Sequence, residues 1–368
     1  MHLRANRETL NAMLSKVGGV VERRQTLPIL GNLLLTTNEG YVQVTGTDLE
    51  MEIRARTAVN VLEPGEITLP ARKLIDICRA LPGGVEVSLK VERDRASLVA
   101  GRSRFLLSTL PAKDFPTMEI HAGIDSIDLE QRRLKYLLEK TAFAMANQDV
   151  RYYLNGLLLE VKRDRLRTIA TDGHRLAKVE EEVALGIAEE IQVILPRKTV
   201  LELNRLLGAG EGGGMVRIEI SEKALRASMD DVVVTSKLVD GRYPDYEKVI
   251  PPISDRVAYA DRETLKEALS RTAILSNEKF RGVRLSLNKG QLTLQAHNPE
   301  QEEAEEELEV TYTEEPMEMG FNVGYLVDVL NVLDEEEVEI GFRGTDSSVI
   351  LRNRGREQET FVVMPMML

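Results

Sequence analysis

Three stretches of the chain lie over one another without a gap, each 126 residues after the last: 69–81 (LPARKLIDICRAL), 195–207 (LPRKTVLELNRLL) and 321–333 (FNVGYLVDVLNVL). Apolar residues coincide at Leu74, Val200 and Leu326, and again at Ile77, Leu203 and Val329. An acid coincides at Asp76, Glu202 and Asp328, and Leu81, Leu207 and Leu333 close the copies. In the middle copy Val200, Leu203, Leu206 and Leu207 make one apolar helix face, with Pro196 where a helix begins. Solenoid repeats run about 20–50 residues. A period this long therefore means tandem domains, and 368 residues leave room for three.

Other marks keep the spacing. Leu33, Leu34 and Leu35 match Leu157, Leu158 and Leu159, while Asp48, Asp172 and Asn298 hold one place after a strand. The segment 107–116 matches 235–244, so that Phe115-Pro116 meets Tyr243-Pro244. These marks predict domains at 1–121, 122–247 and 248–368. Helical stripes are expected at 7–17, 70–81, 129–145, 196–207, 262–275 and 323–333, two to a domain. Strands are expected at 29–37, 41–59, 85–91, 96–100 and 103–110 in the first domain. The second should have them at 154–161, 165–170, 174–180, 215–220, 224–229 and 231–238, and the third at 281–287, 291–296, 304–312 and near the end. The class is α+β, with the helices on one face of the sheets.

A formal net charge of −12 argues against a protein that grips phosphate tightly, unless its cations gather on one face. The helices offer such faces: Arg72, Lys73 and Arg79; Arg132, Arg133, Lys135 and Lys140; Arg197, Lys198 and Arg205. The third domain is near neutral there. One such helix is an ordinary solvated face; recurrence in six suggests a lined passage. Six helices at about 10 Å spacing, each about 10 Å across, would close on a hole of roughly 9 Å, narrower than a major groove of about 12 Å. Twelve, from two chains, would close on about 28 Å, wide enough for duplex DNA. The segment 298–310 (NPEQEEAEEELEV) holds seven glutamates. Ala304, Leu308 and Val310 share a strand phase in it, which suggests an acidic edge facing the basic edge 101–107 (GRSRFLL).

Cys78 is the only cysteine, which fits a reducing cytosol. The N-terminus lacks a signal-peptide pattern, and no apolar run is long enough for a membrane helix. Asp172-Gly173-His174 looks like chemistry, but it lacks a nucleophile, an HExxH or a cysteine cluster, and Asp172 shares its place with Asp48. The glycine-rich 208–214 follows a helix and lacks GK[ST], so it reads as a turn, not a phosphate loop. No metal or cofactor is expected. A DNA-processing enzyme centred on Asp172 and His174, or a scaffold that never meets DNA, are the competing readings. The Met-rich end, 360–368 (TFVVMPMML), is either a strand folded into the last domain or an adaptable peptide-binding surface.

Several motifs together resemble the bacterial beta sliding clamps, the processivity subunits of DNA polymerase III. They are TLPILGNLLL (26–35), GTDLEME (46–52), LPARK (69–73), GRSRF (101–105), QDVRYYLNG (148–156), ATDGHRLA (170–177), SKLVDGRYPDY (236–246), AILSNEKFRGVRL (273–285), NPEQEEAEE (298–306), FNVGYLVDVL (321–330) and VVMPM (362–366). The resemblance covers the whole chain in order. It implies three DNA-clamp domains, with strands outside and helices inside. Two chains would form a head-to-tail homodimer, a six-domain ring around duplex DNA that is non-catalytic, cytoplasmic and nucleoid-associated. It implies a clamp loader, and polymerases and repair proteins held through short apolar peptides. The implied peptide pocket is Leu154, Thr171, Gly173, His174, Arg175, Leu176, Pro244, Val249, Ser348, Val362, Val363, Met364, Pro365 and Met366. The implied DNA contacts are Arg24, Arg72, Gln148, Tyr152, Tyr153, Arg197 and Lys198. The implied dimer contacts are Lys73, Arg102, Arg104, Phe105 and Leu107 against Ile274, Leu275, Glu302, Glu303 and Glu305. Two departures from the family pattern are Met367, where a basic residue is common, and Gln25, where Pro is frequent.

Overall fold

The computed structural model describes residues 1–22, 27–119, 125–208, 213–252 and 256–367. Its building block is a strand that runs straight into a helix and is followed by three more strands. The first domain is β1 (His2–Asn6), α1 (Arg7–Val17), β2 (Asn32–Asn38), β3 (Tyr41–Thr47) and β4 (Met51–Ala58), a short β5 (Asn60–Glu63), then β6 (Gly65–Pro70), α2 (Ala71–Ala80), β7 (Glu86–Glu92), β8 (Arg95–Ala100) and β9 (Ser103–Ser108). The second is β10 (Asp125–Glu130), α3 (Gln131–Thr141), β11 (Gly156–Val161), β12 (Arg165–Thr171), β13 (Arg175–Glu182), β14 (Ile191–Pro196), α4 (Arg197–Leu206), β15 (Met215–Ile220), β16 (Ala224–Met229) and β17 (Val232–Lys237). The third is β18 (Arg256–Asp261), α5 (Arg262–Thr272), β19 (Gly282–Asn288), β20 (Gln291–His297), β21 (Glu303–Glu309), β22 (Met317–Asn322), α6 (Val323–Val332), β23 (Glu337–Phe342), β24 (Val349–Asn353) and β25 (Glu359–Val363).

All six expected helices are present. The strands that feed them (β1, β6, β10, β14, β18 and β22) were not expected, because no turn residue separates strand from helix. Pro70 and Pro196 end β6 and β14 at the N-caps of α2 and α4, where a missing N–H costs nothing. At α5 the Asp261 carboxylate accepts from Thr264 N at 2.8 Å, and at α6 Asn322 Oδ1 accepts from Gly324 N at 2.9 Å. The run 41–59 is not one strand. Asp48 Oδ1 accepts from Glu50 N and Met51 N, Leu49 has φ 77, and the chain folds back as β3–β4. Residues 28–31 form a 3-10 turn before β2.

Two compact units result, Met1–Lys135 with Leu201–Leu238, and Tyr136–Val200 with Val239–Leu368. The first holds sheets ordered β5-β1-β7-β8-β9 and β10-β15-β16-β17-β4-β3-β2-β6. The second holds β14-β11-β12-β13-β25-β24-β23-β18 and β21-β20-β19-β22. In both eight-stranded sheets, half of the strands come from one repeat and half from the next. They are stitched antiparallel by β17 on β4 and by β13 on β25. Hairpin registers place Ser103 level with Val232, since Ala100 faces Ser103 and Met229 faces Val232. That is one residue off the spacing read from 107–116 and 235–244. Helix stripes such as Leu10, Met13, Leu14 and Val17 in α1 and Val323, Leu326, Val329 and Leu330 in α6 are buried, each large aliphatic contributing about 1.5–3 kcal/mol. Among the described residues no helix is long and apolar enough to cross a membrane.

Candidate functional site

The turn between β12 and β13 repeats the one between β3 and β4. Thr171 Oγ1 accepts from Gly173 N at 3.1 Å and donates to Arg175 O at 2.6 Å, as Thr47 Oγ1 does with Leu49 N and Met51 O. Asp172 Oδ1 accepts from His174 N at 2.9 Å and Arg175 N at 3.0 Å, and its Oδ2 accepts from Arg175 Nε at 3.1 Å. Its carboxylate is thus occupied in shaping a turn, as expected from its match with Asp48. Gly173, at φ 90, needs the left-handed region, and a Cβ there would meet the Arg151 guanidinium at 3.0 Å.

Beside this turn lies a cavity of about 290 Å³. Leu154, Thr171, Gly173, Arg175, Leu176, Pro244, Val249, Ser348, Val362 and Met364 line it, together with Arg151, Tyr153, Asp245 and Tyr246. The elements explain the convergence. Leu154 leads into β11 and Leu176 lies on β13. Val362 lies opposite Leu176 across the β13–β25 stitch, and Met364 N donates to His174 O at 2.9 Å. Beneath the lining, Leu158, Ile169, Ile194 and Tyr243 form an apolar cluster with it. Polar atoms in this floor are satisfied. Tyr243 Oη accepts from Thr171 N at 3.0 Å, and burial pushes its phenol above the usual range. Tyr246 Oη accepts from Arg167 Nη1 at 2.7 Å and donates to Glu160 Oε2 at 2.8 Å; burial again pushes the phenol up.

Arg151 and Tyr153 escaped sequence reasoning as wall residues. The signal available was their place in 148–156, beside Leu154. The loop is held by the Arg151 fork on Asp149, Nε to Oδ1 at 3.0 Å and Nη2 to Oδ2 at 2.8 Å, and by paired bonds between Asp149 and Asn155. Arg151 Nη2 also reaches Asp172 O at 3.2 Å. The fork draws the Asp149 carboxyl down to about 2.

Four nominated pocket residues do not line this cavity. Val363 is fully buried in the core, because alternation along β25 turns Val362 to the cavity and Val363 away. Pro365 and Met366 line a second groove, of about 420 Å³, and Met366 N donates to Gly320 O on β22 at 2.9 Å. His174 stacks on Tyr325, with centroids 6.2 Å apart. Arg175 is no free polar rim. Its guanidinium bonds Asp172, Asp328 and Phe143 O and lies over the Tyr325 ring at 4.6 Å.

The remaining nominated residues fall into separate groups. Gln148, Tyr152 and Tyr153 share one loop, and Arg197 N, at the start of α4, donates to Asn155 O at 3.0 Å at its end. Tyr152 is 57% exposed. Lys198 follows Arg197 in α4, and Arg72 is exposed in the first turn of α2. Arg24, like Gln25, lies outside the described residues. Lys140, read as part of a basic face, is buried, bonding Val332 O and pairing with Asp334 at 3.2 Å. Lys73, Arg102, Arg104, Glu302, Glu303 and Glu305 are exposed, and Ile274 is 77% exposed beside a half-buried Leu275. Phe105 is half-buried, whereas Leu107 is only 6% exposed; the outward apolar residue on β9 is Leu106, at 53%.

Residues 1–119, 128–245 and 247–367 match the N-terminal, central and C-terminal domains of the DNA polymerase III beta subunit. The beta sliding clamps of Pseudomonas putida and Escherichia coli are 52% and 49% identical to the chain, with all of both chains covered in each case. A solved Pseudomonas aeruginosa sliding clamp, bound to griselimycin, superposes over all of both chains with a TM-score of 0.96 at 50% identity.

Proposed function

The chain belongs to the DNA polymerase III beta subunit family, the bacterial beta sliding clamps, and from that membership we propose that two copies close head to tail into a ring around duplex DNA. One observation carries the closure. Within the chain, the last strand of one repeat's second half pairs with the last strand of the preceding repeat's first half: β17 with β4, and β25 with β13. The same positions left over are β9 in the first domain and β21 in the third, and both end their sheets. Positions that β4 covers on β17 are open on β9: Thr235 is 3% exposed, its match Leu106 53%. The free edges are also opposite in charge, with Arg102 and Arg104 against Glu303, Glu305 and Glu307.

Both internal joins, carried over through the hairpin registers, yield one register for the join between copies. Arg104 lies opposite Glu305, Phe105 opposite Ala304 and Leu106 opposite Glu303. Phe105 and Ala304 then share the helix side, and Arg104 and Glu305 the outer side. Leu106→Cys with Glu303→Cys should form a cross-linked dimer under mild oxidation, since Cβ atoms of facing residues lie about 4.5–5.5 Å apart. Preferential cross-linking of a pair one residue out of register would contradict the alignment.

The ring holds three domains per chain, 1–121, 122–247 and 248–368, with Arg24, Arg72, Gln148, Tyr152, Tyr153, Arg197 and Lys198 meeting DNA. Contacts to phosphate carry no sequence information, which suits a ring that slides. The cavity beside Gly173 takes short apolar peptides of polymerases, repair proteins and the clamp loader. Its chemistry favours this: Met364 is an adaptable wall, Leu154 and Leu176 are fixed, and the polar groups beneath are satisfied. Griselimycin, bound by the Pseudomonas aeruginosa clamp, is expected to compete for this cavity. Such a protein works in the cytoplasm, on the nucleoid, and tethers chemistry done by others.

A further inference from the structure

At each internal join a cation from one domain closes the C-terminal end of a helix in its neighbour. At the first, Arg205 of α4 donates through Nη1 to Ser15 O at 3.0 Å and through Nη2 to Lys16 O at 2.7 Å, in the last turn of α1. At the second, Lys140 of α3 donates to Val332 O at the end of α6. The physical reason is common to both. A helix leaves its last carbonyls without intrahelical partners, and its dipole is negative there.

The third join forms only between copies, so a cap at that join rests on the ring reading. We propose that it is closed in the same way, by Arg79 of one copy donating to Ser270 O and Arg271 O of α5 in the other. Two matches support the donor and the acceptor. The helix α2 aligns with α4 without a gap, and Arg79 falls on Arg205. Both α1 and α5 open with Arg-Glu-Thr-Leu, at 7–10 and 262–265, so Ser270 falls on Ser15 and Arg271 on Lys16.

The groups around both ends leave room for this arrangement: Arg271 O accepts from Ala273 N and keeps a second lone pair for a donor. Arg79 is exposed, and its guanidinium has no partner among the described residues. At the end of α2 Arg7 donates through Nε to Cys78 O at 2.9 Å and through Nη2 to Arg79 O at 2.8 Å, as its match Arg262 donates to Leu330 O at the end of α6, where Lys140 also enters. Arg271, which stands where Lys140 does, is turned to Glu306 of its own chain, at 2.8 and 2.9 Å. Glu267 and Glu306 lie near the end of α5 and add to the negative potential of its carbonyls. The 3-10 turn after α5 leaves Ile274 77% exposed, so this end lacks the cover that the other copy would supply.

The test is sedimentation equilibrium of the full chain and its Arg79 variants across the dimer dissociation range. Arg79→Ala should weaken the dimer about tenfold, a modest loss for hydrogen bonds made by a charged group. Arg79→Glu, which sets like charge against the helix end, should weaken it further, and Arg79→Lys should retain most of the affinity. Thermal unfolding of Arg79→Ala and Arg79→Lys, followed in dilute solution where the chain is monomeric, should stay close to the wild type, because Arg79 is solvent-exposed in the monomer; Arg79→Glu loses a little stability there, because Arg79 lies in the last turn of α2 itself. In a Glu267→Gln background the factor lost on Arg79→Ala should persist; its disappearance would mean that Arg79 pairs with that carboxylate, and would overturn the cap. A wild-type dimer whose affinity Arg79→Ala and Arg79→Glu leave unchanged overturns the cap alone. A wild-type chain that sediments as monomer throughout overturns the ring reading as well.

Discussion

Arg151 joins two structures that the sequence keeps 21 residues apart, and its behaviour can be tested by pH. The Asp149 carboxyl is held down at about 2 from an ordinary value of 3.8, chiefly by the Arg151 side chain and its backbone N–H. A carboxyl whose folded value is depressed contributes stability above its unfolded value and loses that contribution as pH falls through the folded one. The loop should therefore keep its Asp149–Arg151 fork at pH 4 and lose it near pH 2, followed as the Asp149 carboxyl resonance. A midpoint near 4 would show the fork to be absent in solution. Gly173 supplies a second residue-scale case. Gly173→Ala places a Cβ against the guanidinium and forces a left-handed conformation costing roughly 1–2 kcal/mol. It should lower griselimycin affinity while leaving the dimer intact, read by calorimetry and sedimentation; unchanged affinity would remove this turn from the binding surface. At this scale the sequence was informative where residues recur. Asp48 foretold the turn role of Asp172. It was silent where a side chain's engagement depends on distant partners: nothing near Arg175 announces Asp328 or Tyr325, and nothing near Lys140 announces the end of α6.

Among the elements, the C-terminal segment shows why spacing alone left two readings open. Each is true of a different part. The strand β25 buries Phe361 and Val363 in the core, while Met364 to Met367 lie beyond it, with Met364 49% and Met367 fully exposed. Removing residues 364–368 should thus weaken griselimycin binding at least tenfold, with sedimentation as a dimer unchanged, since the truncation removes no residue of β9 or β21. Native affinity in the truncated dimer would dismiss the Met wall, and loss of cooperative unfolding would show the tail to be part of the core. The helices were legible because amphipathic stripes with a 3.6-residue period survive any context. The strands feeding them were not, because five or six residues of alternation merge into the helix pattern when no turn intervenes. The break in the run 41–59 is hidden for a related reason: its turn is made by Asp48 and a left-handed Leu49, a residue that carries no turn signal.

Across the whole molecule, the repeat predicted three domains but not how they join. The units of compactness are not the repeats, because β4 takes β17 and β13 takes β25, and a sheet continued across a join leaves no local mark in either sequence. That same rule leaves β9 and β21 unpaired in a single chain, and so it carries the claim that this protein is a closed ring that holds DNA by encirclement. The direct measurement is retention on DNA. The clamp, loaded by a clamp loader and ATP onto a nicked circular plasmid, is passed through a sizing column at a salt concentration that strips proteins held by phosphate contacts. Encirclement predicts that it stays with the circle and is lost once a restriction enzyme linearises the plasmid. Equal loss from circle and linear DNA, or equal retention on both, would contradict it.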